Sequence, residues 1–338
     1  MNGVATGGAA VALVAGGWWL WERGQRRTAF VPEGRRADVQ LPHTESFELY
    51  HNAFSMCSKK VRVCLAELGV PYRSHPVDLI ETGSYANLSR GFLKVNPGGT
   101  VPVLVHDGSP IYESHAQIRY LAEHAPAGGA TLFPEDAEAL ATMQHWVDLA
   151  SIRGRNPLEG LATSAGSCAT GLSTSLLAAM ATNVPVQNIA EGLLFHPHPI
   201  RPAFFFAART LGWRTVHRVP YLQRILREAA RHLDRHLDTL EAQLDHGAPY
   251  IQGERFTLAD VSWMALLDRL RELALVDRFL APDHRPRVAA YWAALQARPS
   301  HREAILDHVH PLVTEGTARL CEGRADAPWM TALVGQAA

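Results

Sequence analysis

Net charge is almost absent from this chain: 32 Lys and Arg stand against 33 Asp and Glu in 338 residues, a balance of −1 at neutral pH. A field that weak recruits no nucleic acid, and no basic stripe with interleaved aromatics makes up for it. Cysteine is scarce too. The four, at positions 57, 64, 168 and 321, are too few and too scattered for a disulfide framework, and point to reduced thiols in a reducing compartment. None lies in a C-x-x-C pair, because position 60 is Lys. Metal-site spacing is missing as well. His196 and His198 sit in a Pro-rich stretch, and His232 and His236 are four apart. Neither pair has a Cys or acidic pair to close a site, so no metal is expected, and His232 and His236 read as a solvated helix face. There is no internal repeat. What is present is 47% hydrophobic and 19% charged, in a length that supports a large core and two domains.

One uncharged run stands out, GVATGGAAVALVAGGWWLW at 3–21. It ends in Trp18, Trp19 and Trp21 and is followed by Arg23, Arg26 and Arg27. A spanning helix needs about 20 apolar residues, tryptophan favours the membrane interface and arginine its cytoplasmic side. The run therefore reads as a possible anchor holding a cytoplasmic body against the inner face of a membrane. Its Ala and Gly content weakens that reading, and a disordered leader is the alternative. Residues 22–44, polar with Pro32 and Pro42, read as a linker that completes an N-terminal region of 1–44.

From 45 to 126 the hydrophobic period changes repeatedly. FELY (47–50) and PYRSHPVDL (71–79) predict strands, and SKKVRVCLAELG (58–69) a helix closed by Gly69. Residues 84–95 predict a short helix. A hairpin over 101–114 turns at Asp107-Gly108, and HAQIRYLAEHA (115–125) is helical. The order β-α-β-α-β-β-α is that of an α/β thioredoxin-like domain with a mixed sheet. An all-α domain is expected over 127–315, with helices at 135–155, 221–246, 257–276 and 286–298, and a tail at 316–338. Residues 160–220, small and Pro-rich with HPHPIRP and FFF, read as an insertion. Thr257 followed by Asp260 is a capping box, a structural feature.

Three places carry chemistry. Ser55, Cys57 and Ser58 lie where the first strand hands over to a helix. A helix start favours an anion, so either the protein's thiol is activated there or a hydroxyl donates to a bound thiolate. Val101-Pro102 puts a proline at the first position of a strand. A cis bond would turn the backbone of Val101 outward to pair with a peptide; a trans proline on an edge strand is the plain alternative. Glu113-Ser114 opens a helix, where free N–H groups attract a carboxylate and Glu113 can hold an ammonium, the two ends of an amino acid. Together they fit a γ-glutamyl tripeptide with a central thiol, glutathione. Cys64, on the apolar face of the same helix, reads as a buried hydrophobe.

Residues 46–125 resemble the N-terminal domain of the glutathione S-transferase superfamily. The likeness rests on S-x-C-S-x-K-V-R-V-x-L-A-E-L-G (55–69), N-P-x-G-x-V-P-V-L (96–104) and E-S-x-x-I-x-x-Y-L (113–121), and RFTLADV (255–261) resembles the second domain. The resemblance implies a cis Pro102, Val101 pairing with the cysteinyl backbone, and Glu113 and Ser114 holding the γ-glutamyl end. It implies glutathione as co-substrate, a small electrophile as second substrate, and a homodimer. The start Ser55-Met56-Cys57-Ser58 is similar to tetrachlorohydroquinone reductive dehalogenases, where the residue matching Cys57 attacks. It is similar also to zeta-type transferases, where the residue matching Ser55 activates glutathione, and to bacterial β-etherases, whose serine falls at Ser58. The expected activity is a glutathione transferase, with Met143, Trp146 and Trp213 proposed as an apolar wall. The alternatives are Cys57-dependent thiol transfer or reductive dehalogenation, and a non-catalytic membrane-held binding module.

Overall fold

The computed structural model describes residues 2–124, 131–154, 158–332 and 334–335. The boundary expected at 126 lies outside them. The first half is a five-stranded mixed sheet built from β1 (Gly34–Arg35), β2 (Phe47–His51), β3 (Arg73–Pro76), β4 (Val103–His106) and β5 (Ser109–Tyr112), in the order β1-β5-β4-β2-β3. β2 and β3 are parallel; the other pairings are antiparallel. The period of two sorts the strands' side chains onto two faces. Leu49, Leu104 and Ile111 join the main core with α2 (Met56–Glu67) and α4 (Ser114–His124). Val103, Val105 and Tyr112 face the other way, against Leu41, Val77 and Phe92. Between β4 and β5, Asp107 and Gly108 both take positive φ (47° and 80°), the two-residue turn their sequence predicts. α2 ends in a Schellman cap: Gly69 N–H bonds Ala66 O, and Val70 N–H bonds Leu65 O.

Residues 22–44 are not a free linker, and the reason is the outer face of the sheet. Val31, Val39 and Leu41 pack over it, β1 adds a strand at the β5 edge, and Leu41 N–H bonds Gly108 O at 2.8 Å. Ahead of this strap, α1 (Asn2–Gln25) is helical, but the anchor expected at 3–21 is not supported. Among the described residues no helix is long and apolar enough to cross a membrane. Ala and Gly dilute its hydropathy, and its basic end is occupied by protein. Trp19 Nε1 donates to Leu194 O, Trp18 stacks edge-on against Phe195, and Arg26 pairs with Glu22 and Glu191.

The second half is helical: α5 (Ala137–Leu149), α6 (Ala165–Met180), α7 (Val186–Phe195), α8 (Ile200–Leu211), α9 (Trp213–Val216), α10 (Pro220–Gln243), α11 (Leu258–Glu272), α12 (Val276–Phe279), α13 (Pro286–Gln296), α14 (Pro299–Ala304), α15 (Pro311–Asp326) and α16 (Pro328–Ala332). The expected insertion divides. α6 is no insertion: it is buried at the centre of the bundle against α10, α11 and α15, and its small residues are what that crowding requires. A Cβ on Gly166 would stand 2.4 Å from Ala150 O. α8 and α9 also pack on α6, burying Phe205, Ala208 and Trp213, and α7 receives α1. The expected tail is also part of the bundle, since α15 buries Val313 and Leu320, and Arg324 donates to Leu273 O. His236 is not solvated. It is buried and its Nε2 lies 2.8 Å from Leu161 O, because its face of α10 packs toward α6. The capping box of α11 forms as expected, with Thr257 N–H donating to Asp260 Oδ2 at 2.8 Å.

Candidate active site

The loop that leaves β2 is held from within. Asn52, almost wholly buried, accepts at Oδ1 from the N–H groups of Phe54 (3.0 Å) and Ser55 (3.1 Å). Its amide donates to Val77 O and Thr82 Oγ1. This is an Asx turn, and it presents Ser55 at the start of α2. The Asn-Ala-Phe-Ser stretch at 52–55 carries that signal, which the thiol and hydroxyl pattern at 55–58 does not include. Ser55 is the N-cap: its Oγ accepts from Ser58 N–H at 3.2 Å, which leaves its own proton free to donate. Cys57 follows in the first turn, half-buried and free. Ser58 does not share the site. It is fully buried and its Oγ accepts from Asn52 N–H, so the third residue of the helix faces inward. Cys64 is core: burial pushes its thiol well above its ordinary value, and Sγ donates to Ile118 O.

Opposite, the Val101–Pro102 bond is cis. Gln117 locks it in place, its amide donating to Pro102 O at 2.9 Å and to Ile111 O at 2.8 Å. The preceding loop is closed by Asn96, which bonds Thr100 O and Gly98 N–H. Among the described residues, neither the N–H nor the C=O of Val101 has a hydrogen-bond partner. Glu113 is exposed and held at φ 67°, a conformation a non-glycine residue adopts under strain. Its carbonyl accepts from Gln117 N–H, so Ser114 is the first helical residue and not the expected cap. The β1–β5 register sets Gly34 opposite Tyr112, which brings Glu33 alongside Glu113, and Glu33 Oε2 meets His115 Nε2 at 3.0 Å.

The helical half clamps this end of the sheet domain. Arg269 lies 3.6 Å over the Phe54 ring, donates to Phe54 O, and bonds Ser173 Oγ at 3.1 Å. The expected apolar wall does not form. Met143, Trp146 and Trp213 are buried in the bundle: Trp146 meets Trp263 edge-to-face, and Trp213 fills the space over Gly323. A groove of about 530 Å³ between the starts of β2 and β3, lined by Thr44, Phe47, Tyr72 and Arg73, touches none of the predicted site residues. Among the described residues no group of three or more His, Cys, Asp or Glu could hold a metal.

A strand, a capped helix start, a cis-proline turn and a second helix opening at Ser114 define a thioredoxin-like thiol-binding domain fused to a helical bundle. Two family models match it: the glutathione S-transferase N-terminal domain over residues 54–124 and its C-terminal domain over residues 223–302. The chain belongs to the glutathione S-transferase superfamily. It is 27% identical to glutathione S-transferase TCHQD of Arabidopsis thaliana, covering 76% of this chain and 89% of that protein. It is 28% identical to a 2,5-dichlorohydroquinone reductive dechlorinase of Sphingobium indicum, over 77% of this chain and 82% of that one. In fold it is similar to the β-etherase LigF of Sphingobium sp. strain SYK-6, with a TM-score of 0.62 at 23% identity, covering 78% of this chain and all of that one.

Proposed function

We propose that the protein is a glutathione transferase. Glutathione lies across the thioredoxin-like domain. Its cysteinyl backbone pairs with Val101, its γ-glutamyl end is held by Glu113 and the first turn of α4 at Ser114, and its sulfur rests at the opening of α2. The observation that carries this reading is Ser55. Its oxygen is engaged by Ser58 N–H and, among the described residues, its proton has no acceptor, so it can donate to a thiolate without leaving the cap. The thiol proton is lost to solvent. The thiolate then attacks an electrophilic carbon, one S–C bond forms, and the leaving group departs with its bonding pair. Two chains pairing as a homodimer is the assembly proposed with it.

A second reading is favoured by one observation, the half-buried thiol of Cys57 beside Ser55. Here Cys57 attacks a glutathionylated product, forms a mixed disulfide with glutathione and releases the reduced substrate; a second glutathione then frees the enzyme as glutathione disulfide. The test is a glutathione-dependent activity screen on the wild type, Ser55→Ala and Cys57→Ser. The first reading requires loss in Ser55→Ala and survival in Cys57→Ser, and the second the reverse. No glutathione bound by the wild type in equilibrium dialysis sinks both.

A further inference from the structure

Lys59 and Lys60 are consecutive in α2 and are both buried, at 1% and 2% exposure, but their surroundings differ in kind. Lys59 Nζ meets two carboxylates, Asp268 Oδ2 and Glu272 Oε1, each at 2.6 Å. Lys60 Nζ meets one neutral hydroxyl, Ser151 Oγ, at 3.1 Å. Among the described residues it has no ion-pair partner. An ammonium has three protons to donate and strongly resists leaving water unpaired. The fold neutralises one lysine twice and gives its neighbour only a serine, so Lys60 lacks a counter-charge of its own.

The place of that charge is informative. Lys60 is three residues after Cys57, on the same face of the helix, and helical side chains lean toward the N-terminus. Burial lowers its pKa, and the charges that pull it back up are those of Cys57, Asp148 and Glu113, the first and last of which are candidate site residues. The third, Asp148, is part-exposed and already engaged by Arg153 at 3.3 Å and by Gln144. Ser151 is itself fixed, donating to Val147 O at 2.8 Å, so it holds the ammonium from the side of the helical domain.

We propose that Lys60 is a positioning residue, the buried counter-cation of the thiolate formed at the opening turn of α2. The inference rests on the reading of that turn as a thiol site. The thiolate has two possible sources, Cys57 itself or the sulfur of bound glutathione, and the chemistry Lys60 offers is the same for both.

The full-length chain carrying Lys60→Met, with Lys60→Gln as a second neutral variant and Lys60→Arg as the charge-preserving one, tests this. The first readout is the rate at which iodoacetamide alkylates Cys57 at neutral pH without glutathione, resolved by mass spectrometry from exposed Cys321 as internal control. The second is the ultraviolet thiolate absorbance gained when glutathione is added in a Cys57→Ser background. The neutral variants are expected to lower one or both about tenfold with Cys321 unchanged, and Lys60→Arg to restore most of the loss. Loss in the first readout assigns the thiolate to Cys57, and loss in the second to glutathione. Neutral variants that fold, by thermal melting, and match the wild type in both overturn the proposal. If the wild type binds no glutathione while alkylation of Cys57 still depends on Lys60, the transferase reading fails and the role of Lys60 stands.

Discussion

Arg298 grips Glu67 across the domain boundary, with Nε 2.7 Å from Oε1 and Nη2 2.5 Å from Oε2. Its guanidinium also lies 4.0 Å over the Phe256 ring and donates to Tyr250 Oη. Glu67 is the last residue of α2, so this fork ties the far end of the active-site helix to the bundle. Arg298→Leu leaves the Glu67 carboxylate with the Ser300 hydroxyl but no counter-charge, and is expected to cost about 2–3 kcal/mol in urea unfolding. Arg298→Lys keeps the charge but not the fork or the stack, and is expected to recover less than half of that.

Asn52 is expected to act on catalysis without touching substrate, by holding the turn that presents Ser55. Asn52→Ala removes four hydrogen bonds and releases the Phe54 and Ser55 amides. Displacement of Ser55 by an ångström is expected to lower kcat for conjugation by about 10²-fold, with a much smaller change in glutathione affinity. Stopped assays with varied glutathione separate the two. An unchanged kcat would mean that the turn is not what positions Ser55.

Acid should weaken the fold through His51. Its Nδ1 accepts from Arg62 and its Nε2 lies 2.7 Å from Ser74 Oγ. Burial, then the charge of Arg62, pushes its pKa down to about 3. In the unfolded chain it titrates near 6.5. Between those values the unfolded state binds a proton that the folded state refuses, so stability is full above about pH 6.5 and declines as pH falls toward 3. The urea midpoint is expected to drop on acidification over that window, and His51→Gln to flatten the dependence.

The two parts of the N-terminal region should differ in what their removal does. Deleting residues 2–25 removes a helix that rests on α7, and is expected to lower the melting temperature by only a few degrees. Deleting residues 2–44 also strips Val31, Val39 and Leu41 from the sheet and removes β1. That variant is expected to be recovered largely unfolded or aggregated. Comparable melts for the two deletions would show that the strap contributes nothing.

The parts of this molecule that were legible in its sequence are those where local chemistry decides. The Asp107-Gly108 turn, the Gly69 cap, the Thr257–Asp260 box and the helix starts are dictated by residues within a few positions of one another. The parts that were not legible depend on distant partners. Nothing near Val31 or Leu41 says that they cover Val103 and Val105, and α6 resembles a loop until Leu233 and Leu320 are placed around it. At the site the same division holds. Ser55 and Cys57 fall where the motif puts them, whereas the inward turn of Ser58 and the isolation of Lys60 depend on Asn52 and Ser151, one a loop residue and the other from the second domain. Met143, Trp146 and Trp213 were chosen for their chemistry alone, and the bundle uses that chemistry for packing.

The sheet ends on both sides in ways that discourage growth. On one flank β1 is two residues long, Gly34 and Arg35, and offers almost no ladder to extend. On the other, β3 reads Arg-Ser-His-Pro, without an aliphatic side chain and with a proline that has no N–H to give. A second chain therefore finds no backbone seam to join. Both flanks thus discourage the strand-to-strand stacking that turns open sheets into fibres.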